Sequence, residues 1–356
     1  MKNKFKEIRA NRKAKKALKA EEADRLPRIT NETVATHREE VLSGARKYIY
    51  PLQHSKHRVV FITTTLFITA VIGFTSYCVI ALYRLQSNST FLYRVTQVIP
   101  FPVARSGSHF IAYENYLFEL RRYIHYYETE QKISFTSESA KQQLDSYKQR
   151  AFEKIDADAR IKQIAKEKGI SVSDAEVDAQ IELSRKQNRL GGSSQVFEDV
   201  IREYYGWSMN DFRRSLRTQL LEEKVTASLD TDAKAKADQL VTSIRSGAIS
   251  FADAAKQQSD DATTKPNGGE IGIIEKSNTA ASPQTIDALF KLKAGEVSDP
   301  IVVNYENGFA FEILQNVDGG TDKAKTAHII IKIKPITSYL NELREKHPTR
   351  RYIKLP

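Results

Sequence analysis

Cysteine is almost missing from this chain. Cys78 is the only one in 356 residues, which excludes an internal disulfide framework and any cysteine-rich zinc site. The seven histidines are scattered without metal-ligand spacing, so no metal is expected. Two Met, fifteen Gly and ten Pro leave no collagen-like or low-complexity bias. No glycine-rich phosphate loop, no Ser/His/Asp order and no paired-carboxylate spacing stands out. At 40% hydrophobic residues the chain is too apolar to be disordered throughout. Its length allows about two ordinary domains, at roughly 100–200 residues each.

What the chain does have is an excess of basic residues, 55 Lys+Arg against 44 Asp+Glu, or +11. The excess is not spread evenly. Residues 1–58 hold 16 Lys/Arg and 7 Asp/Glu, an excess of nine; the remainder holds 39 and 37, an excess of two. A nucleic-acid partner is therefore not expected for the body of the protein. The tail cluster Arg12, Lys13, Lys15, Lys16 and Lys19 is suited to RNA or to lipid headgroups. Its ordinary alternative is a solvated tail that sets membrane topology.

Residues 59–83 carry no charge. A helix needs about 20 apolar residues to cross the hydrocarbon core, and the Thr and Ser hydroxyls within the run can bond back to helix carbonyls. Arg58 and Arg84 bracket it. A buried core helix is seldom apolar all round over such a length, and a cleaved signal peptide has a shorter apolar run and a small-residue cleavage site. Lys47, Lys56 and Arg58 precede the run, while 85–103 contains only Arg94. The positive-inside rule then places the N-terminus in the cytoplasm and 84–356 outside.

Past the span, 85–108 reads as a linker that becomes extended near Pro100-Phe101-Pro102. Helical periodicity begins with Tyr113, Tyr116, Leu117, Leu120, Ile124 and Tyr127. Further helices are expected at about 137–168, 174–188, 195–205 and 209–227. Ser173 with Glu176 forms a capping box, Ser208 with Asp211 a weaker one, and Gly169 and Gly206 stand at helix-ending positions. After Leu229 the pattern changes to short helices from Asp232, Ser250 and Ser282-Pro283. Strands follow at 300–304, 308–316 and 326–334. The fold class is α+β with a small antiparallel sheet. The expected order is a basic tail 1–58, a transmembrane helix 59–83, an all-α domain 84–228, an α+β domain 229–334 with its last strand at 326–334, and a C-terminal tail 335–356.

The stretches Ser250-Phe251-Ala252-Asp253 to Ser259-Asp260-Asp261, Asn267-Gly268-Gly269-Glu270-Ile271-Gly272, and Ile286-Asp287-Ala288-Leu289-Phe290 to Gly295-Glu296-Val297-Ser298 resemble the parvulin family of peptidyl-prolyl isomerases. The resemblance covers about 90 residues, 230–318, in the family's order. The helices before it resemble the chaperone domain of SurA-type proteins. Together with the span, the arrangement is similar to the membrane-anchored PpiD and PrsA foldases. That resemblance implies cis–trans isomerisation of X–Pro bonds and the holding of unfolded or newly translocated polypeptides outside the cytoplasmic membrane.

Parvulins begin with a strand that carries an active-site histidine, and here none precedes Asp232. A matching strand, Ala327-His328-Ile329-Ile330, follows instead. It either begins a truncated second repeat or closes a circularly permuted domain. In the family the first and last strands are antiparallel neighbours, so a hairpin of 308–316 with 326–334 would restore the missing strand. Phe309, Phe311 and Ile313 would then share the helix-facing side with Ile329, Ile331 and Ile333. Ala310, Glu312 and Leu314 would share the other side with His328, Ile330 and Lys332.

Rotating an X–Pro bond crosses a barrier of roughly 18–20 kcal/mol because the amide loses resonance. No bond is made or broken, so no cofactor is expected. The catalyst must grip the ring and favour the twisted amide over the planar one. The resemblance assigns catalytic roles to Asp261, at the family's Cys/Asp position, and to His328. It assigns substrate contacts to Ile271 and to Ala310, where the family's second histidine falls. The family's large apolar ring-pocket residues fall within 279–285, which holds none. The ordinary alternatives are a half-buried strand histidine for His328 and a capping carboxylate for Asp261.

Overall fold

The computed structural model describes residues 2–24, 29–49, 52–107, 109–132, 135, 137–187, 193–278 and 280–355. The chain divides into two units, 1–77 and 78–356. The first unit holds α1 (Lys2–Asp24), α2 (Asn31–Ile49) and most of α3 (Leu52–Val79). From His57 to Arg84 the helix is long and apolar enough to cross a membrane, and it is the one such segment among the described residues. Over 59–77 its large apolar side chains are exposed, Phe61 and Phe67 each at least 70%, whereas Leu82 near its end is buried.

The second unit opens with α4 (Thr90–Val98), β1 (Pro102–Ser106) and β2 (His109–Ala112). Where the sequence suggests a linker, Ser89 caps α4 by accepting from the Leu92 amide, and Leu92 is buried. Then come α5 (Tyr113–Thr129), α6 (Glu138–Lys168), α7 (Asp174–Gln187), α8 (Ser194–Tyr205) and α9 (Met209–Leu229). The Ser208/Asp211 box is complete in both directions, as is Ser173/Glu176. Gly206 ends α8 at φ +68°, and a Cβ there would meet the His125 ring at 2.9 Å, so glycine serves both the left-handed turn and the close approach.

The core of this helical region is Tyr113, Tyr116, Leu117 and Leu120 of α5, packed on Tyr147, Phe152 and Ile155 of α6 and on Leu82 and Leu92. Two expectations change here. The region expected as all-α also holds β1 and β2, two strands of a three-stranded sheet. The segment 335–356 is not a tail: α13 (Ile336–Lys346) and β7 (Thr349–Arg351) return to the helices. Ile336 and Leu340 pack on Ile161, Ile164 and Val225, β7 pairs antiparallel with β1, and Ile353 joins the main core. Apolar residues at i, i+4 and i+7 in 336–343 make this segment bury itself.

Between α9 and α13 lies the sheet region: α10 (Thr231–Arg245), α11 (Phe251–Gln258), β3 (Glu270–Glu275), α12 (Pro283–Leu289), β4 (Ile301–Tyr305), β5 (Gly308–Asn316) and β6 (Lys323–Lys332). The sheet is antiparallel, in the order β3-β6-β5-β4. β5 and β6 pair with Glu312 opposite Ile330, Ile313 opposite Ile329 and Leu314 opposite His328. β6 therefore occupies the place beside β5 that the resemblance gives to a first strand. Phe311, Ile313, Ile329, Ile331 and Ile333 pack on Ala237, Val241, Phe251 and Ala254 of α10 and α11. The opposite face carries Ala310, Ile330 and Val303 in one small cluster and Leu314, Leu289 and Ile274 in another. This alternation fixes register, because a one-residue slip would turn the buried apolar side chains of both strands outward.

Candidate functional site

His328 lies on β6, on the sheet face away from α10 and α11. Its backbone amide donates to the Gly269 carbonyl at 2.8 Å. Gly269 has φ +81°, and a Cβ there would stand 2.2 Å from the His328 carbonyl oxygen, so the Gly268-Gly269 turn must remain bare for the loop carrying Asp261 to reach the strand. That loop is pinned twice more. The Asp260 amide donates to the Ile330 carbonyl at 2.7 Å, and the Ile330 amide donates to Ser259 Oγ at 3.2 Å.

These anchors bring Asp261 Oδ2 to 2.9 Å from His328 Nε2. The other ring nitrogen, Nδ1, is 2.8 Å from Glu312 Oε1 on β5. All three side chains are at most 12% exposed. A neutral imidazole has one N–H, so an imidazolium is the form that donates to both carboxyl groups. Burial disfavours that charge, but hydrogen bonds and charge from Glu312 and then Asp261 outweigh it and raise the His328 pKa above the ordinary 6.5. Burial likewise works against an ionised Asp261. The Thr264 hydroxyl, His328 and the Thr263 amide overcome it and hold this carboxyl well below 3.8.

Asp261 is saturated with donors. Oδ2 accepts from Thr264 Oγ1 at 2.5 Å, and Oδ1 accepts from the Thr263 amide at 3.1 Å and from Tyr305 OH at 3.2 Å. Burial, and then the Asp261 charge, push the Tyr305 phenol up to about 12. On the far side Thr285 Oγ1 donates to Glu312 Oε2, and Ser282 Oγ lies 2.8 Å from Thr285 Oγ1. One continuous polar chain thus runs Tyr305–Asp261–His328–Glu312–Thr285–Ser282.

Asp261 and His328 meet directly although 67 residues apart. Ile271 is on β3 and 40% exposed, beside the register shift between Glu270 and Gly272. Ala310 is fully buried against Val303 and Ile330 and presents no surface to a substrate. Of the stretch 279–285, Thr279 lies outside the described residues; Thr285 is buried and belongs to the polar chain. The sequence alone assigns no role to Glu312, Thr264, Tyr305 or Thr285. The one signal it carries is the parity that sets Glu312 and His328 on the same sheet face.

A model of the PPIC-type PPIASE domain matches residues 219–318, and a model of the SurA-like N-terminal domain matches 52–226. The first match ends before β6, so His328 lies outside it. Chaperone SurA of Sodalis glossinidius (strain morsitans) is 38% identical over 89 residues, 25% of this chain and 19% of that protein. Foldase protein PrsA of Staphylococcus aureus (strain bovine RF122 / ET3-1) is 27% identical over 184 residues, 42% of this chain and 54% of that protein. The chain thus spans about a fifth of SurA and about half of PrsA. The crystal structure of foldase protein PrsA from Lactococcus lactis overlays 69% of this chain and 84% of its own at 16% identity, with a TM-score of 0.22, too loose to carry an argument. The two domain matches, which overlap at 219–226, describe the chain as a SurA-like N-terminal domain followed by a PPIC-type PPIASE domain.

Proposed function

We propose that the chain is a membrane-anchored foldase that isomerises X–Pro bonds in unfolded or newly translocated polypeptides and holds those chains while they fold. The observation that carries this reading is the contact of His328 with Asp261 on the sheet. It supplies the histidine and the acidic partner of a parvulin site from a strand that comes last instead of first. The preorganised polar groups act by favouring the twisted amide over the planar one. Residues 59–83 serve as the span, with the N-terminus cytoplasmic and 84–356 outside; the outward-facing apolar surface of α3 and the basic side chains before it support that orientation.

A proline-peptide isomerisation assay tests the enzymatic activity, comparing wild type with His328→Ala and Asp261→Ala. The expected loss in kcat/KM is about 10²-fold for each, as for removal of one preorganised group. A wild-type rate equal to the uncatalysed background would sink the reading. The second reading, a holding chaperone without isomerase activity, draws on Thr285 and Ala310. Thr285 spends its hydroxyl on Glu312 within the stretch where the family places ring-pocket residues, and Ala310 is buried. Suppressed client aggregation with no isomerisation would select that reading.

A further inference from the structure

Helices α1 and α2 take no part in the site, and each has one unpartnered face of definite chemistry. On α1, Arg12, Lys15, Lys16 and Lys19 stand at i, i+3, i+4 and i+7, which is one side of the helix, and all four are exposed. On α2, Val34, Val41, Leu42, Ala45 and Tyr48 stand at i, i+7, i+8, i+11 and i+14, a single arc. Val34, Val41, Leu42 and Tyr48 are 51, 63, 43 and 89% exposed. Glu32, Thr36, Glu39 and Ser43 occupy the opposite side. Arg38 falls within the apolar arc, and its long stem lets the guanidinium reach a polar phase while the methylenes stay in an apolar one.

We propose that α1 and α2 lie on an anionic phospholipid surface, with the α2 stripe in the headgroup–acyl boundary and the α1 cations over the headgroups. The proposal rests on 59–83 being a membrane span, which brings both helices to a bilayer. Charge and polarity together select the occupant. An RNA would match the cations of α1 but leave the α2 stripe in water. A second copy of the chain would cover the stripe but set one cationic α1 beside another. An anionic bilayer surface meets both faces at once.

The full chain is to be reconstituted in nanodiscs of phosphatidylcholine, alone or with about one third phosphatidylglycerol. In a Cys78→Ser background, spin labels at Leu42→Cys and Ile68→Cys report depth through oxygen and nickel-complex accessibility. In the wild-type chain, acylation rates of Lys15 and Lys16 provide a readout without substitution. The expected result is an oxygen-accessible Leu42 label in anionic discs only, with both lysines acylated about fivefold more slowly there and released by high salt. An Ile68 label in lipid with a Leu42 label in water in both discs overturns the proposal and leaves the span standing. An Ile68 label in water overturns both. Equal shielding of Leu42 in the two discs with short label–label distances assigns the stripe to a second copy. Lysine protection that appears only on adding RNA assigns α1 to RNA. Either of these results overturns the proposal.

Discussion

The buried charges before and after residue 230 are arranged as opposites. Among the helices a single carboxyl sits between two cations. Asp156 Oδ2 accepts from Arg344 at 2.9 Å and from Arg160 at 3.3 Å, and Oδ1 accepts from Thr349 Oγ1 at 2.6 Å. On the four-stranded sheet a single imidazole sits between two carboxyls, Asp261 and Glu312. Both knots are buried and nearly fully hydrogen-bonded, yet they serve different ends. Arginine keeps its charge over the whole working pH range, so the first knot has one state. It ties α6 to α13 and β7, 188 and 193 residues further along. Histidine titrates near neutrality, so the second knot has an adjustable centre. A fastener benefits from a fixed charge, whereas a site benefits from a centre that can change its hydrogen bonds.

The largest expected effect comes from breaking the fastener. Asp156→Ala leaves the Arg160 guanidinium, 4% exposed, facing Arg344 without an anion. Losing one partner of a buried pair costs about 3–5 kcal/mol, a fall of roughly 10 °C in Tm for a unit of this size. Asp156→Asn keeps one acceptor oxygen for Arg344, with its amide nitrogen turned to the Thr349 hydroxyl, and is expected to lose less. Calorimetry on both variants checks the order. If Asp156→Ala melts within a degree or two of wild type, the clasp does not hold the C-terminal segment.

A smaller effect separates the knots by pH. His328 has a raised pKa in the folded chain, so its contribution is complete below the unfolded value of 6.5 and fades as pH rises through the folded value. Asp261 has a lowered pKa, so its contribution is complete above 3.8 and fades as pH falls through the folded value. The pair therefore stabilises most between 3.8 and 6.5. Asp156, also lowered, fades on the acid side alone, because its cations are arginines. The stability difference between wild type and His328→Gln is expected to be about 1.5–3 kcal/mol near pH 5, the range for hydrogen bonds to charged groups, and to shrink above neutrality. A difference that stays constant to pH 9 would show that His328 is not the titrating centre.

The fastener and the site are not equally legible in the sequence. Ser173, Ser208, Gly169 and Gly206 announce helix ends because capping is local chemistry, readable within four residues. The pairing of β5 with β6, which carries His328 to its place, is implied by the resemblance and supported by alternation on both strands. The loop that delivers Asp261 is readable only through the resemblance. The Asp156 knot leaves no such mark. β7 is three residues, Thr-Arg-Arg, with no apolar alternation to mark a strand, and Arg160 looks like any surface residue until Thr349 arrives from the end of the chain. Glu312 is similarly hidden, since a carboxyl in a strand otherwise rich in apolar residues declares a position but no partner. Thr264 and Tyr305 reach Asp261 from a turn and from β4, which only the folded backbone brings together.

The smallest expected effect concerns the hydroxyls that surround each carboxyl. Tyr305→Phe removes one of four donors to Asp261, the longest at 3.2 Å, and keeps the ring. The expected cost is about 0.5–1 kcal/mol, with little change in isomerisation, because the His328 and Thr264 contacts remain. Its signature is a shift in pH dependence more than a loss of stability. With one donor fewer, the Asp261 carboxyl rises toward 3.8, so the acid limb of the stability profile moves to higher pH while the alkaline limb, set by His328, stays in place. Thr349→Val is the matched change at Asp156, removing a 2.6 Å hydrogen bond. It is also expected to move the acid limb, and an alkaline limb should be absent from the Asp156 contribution before and after. If Tyr305→Phe displaces the alkaline limb instead, the proton that matters at high pH is shared along the chain from Tyr305 through Asp261, and the site's centre is larger than the imidazole.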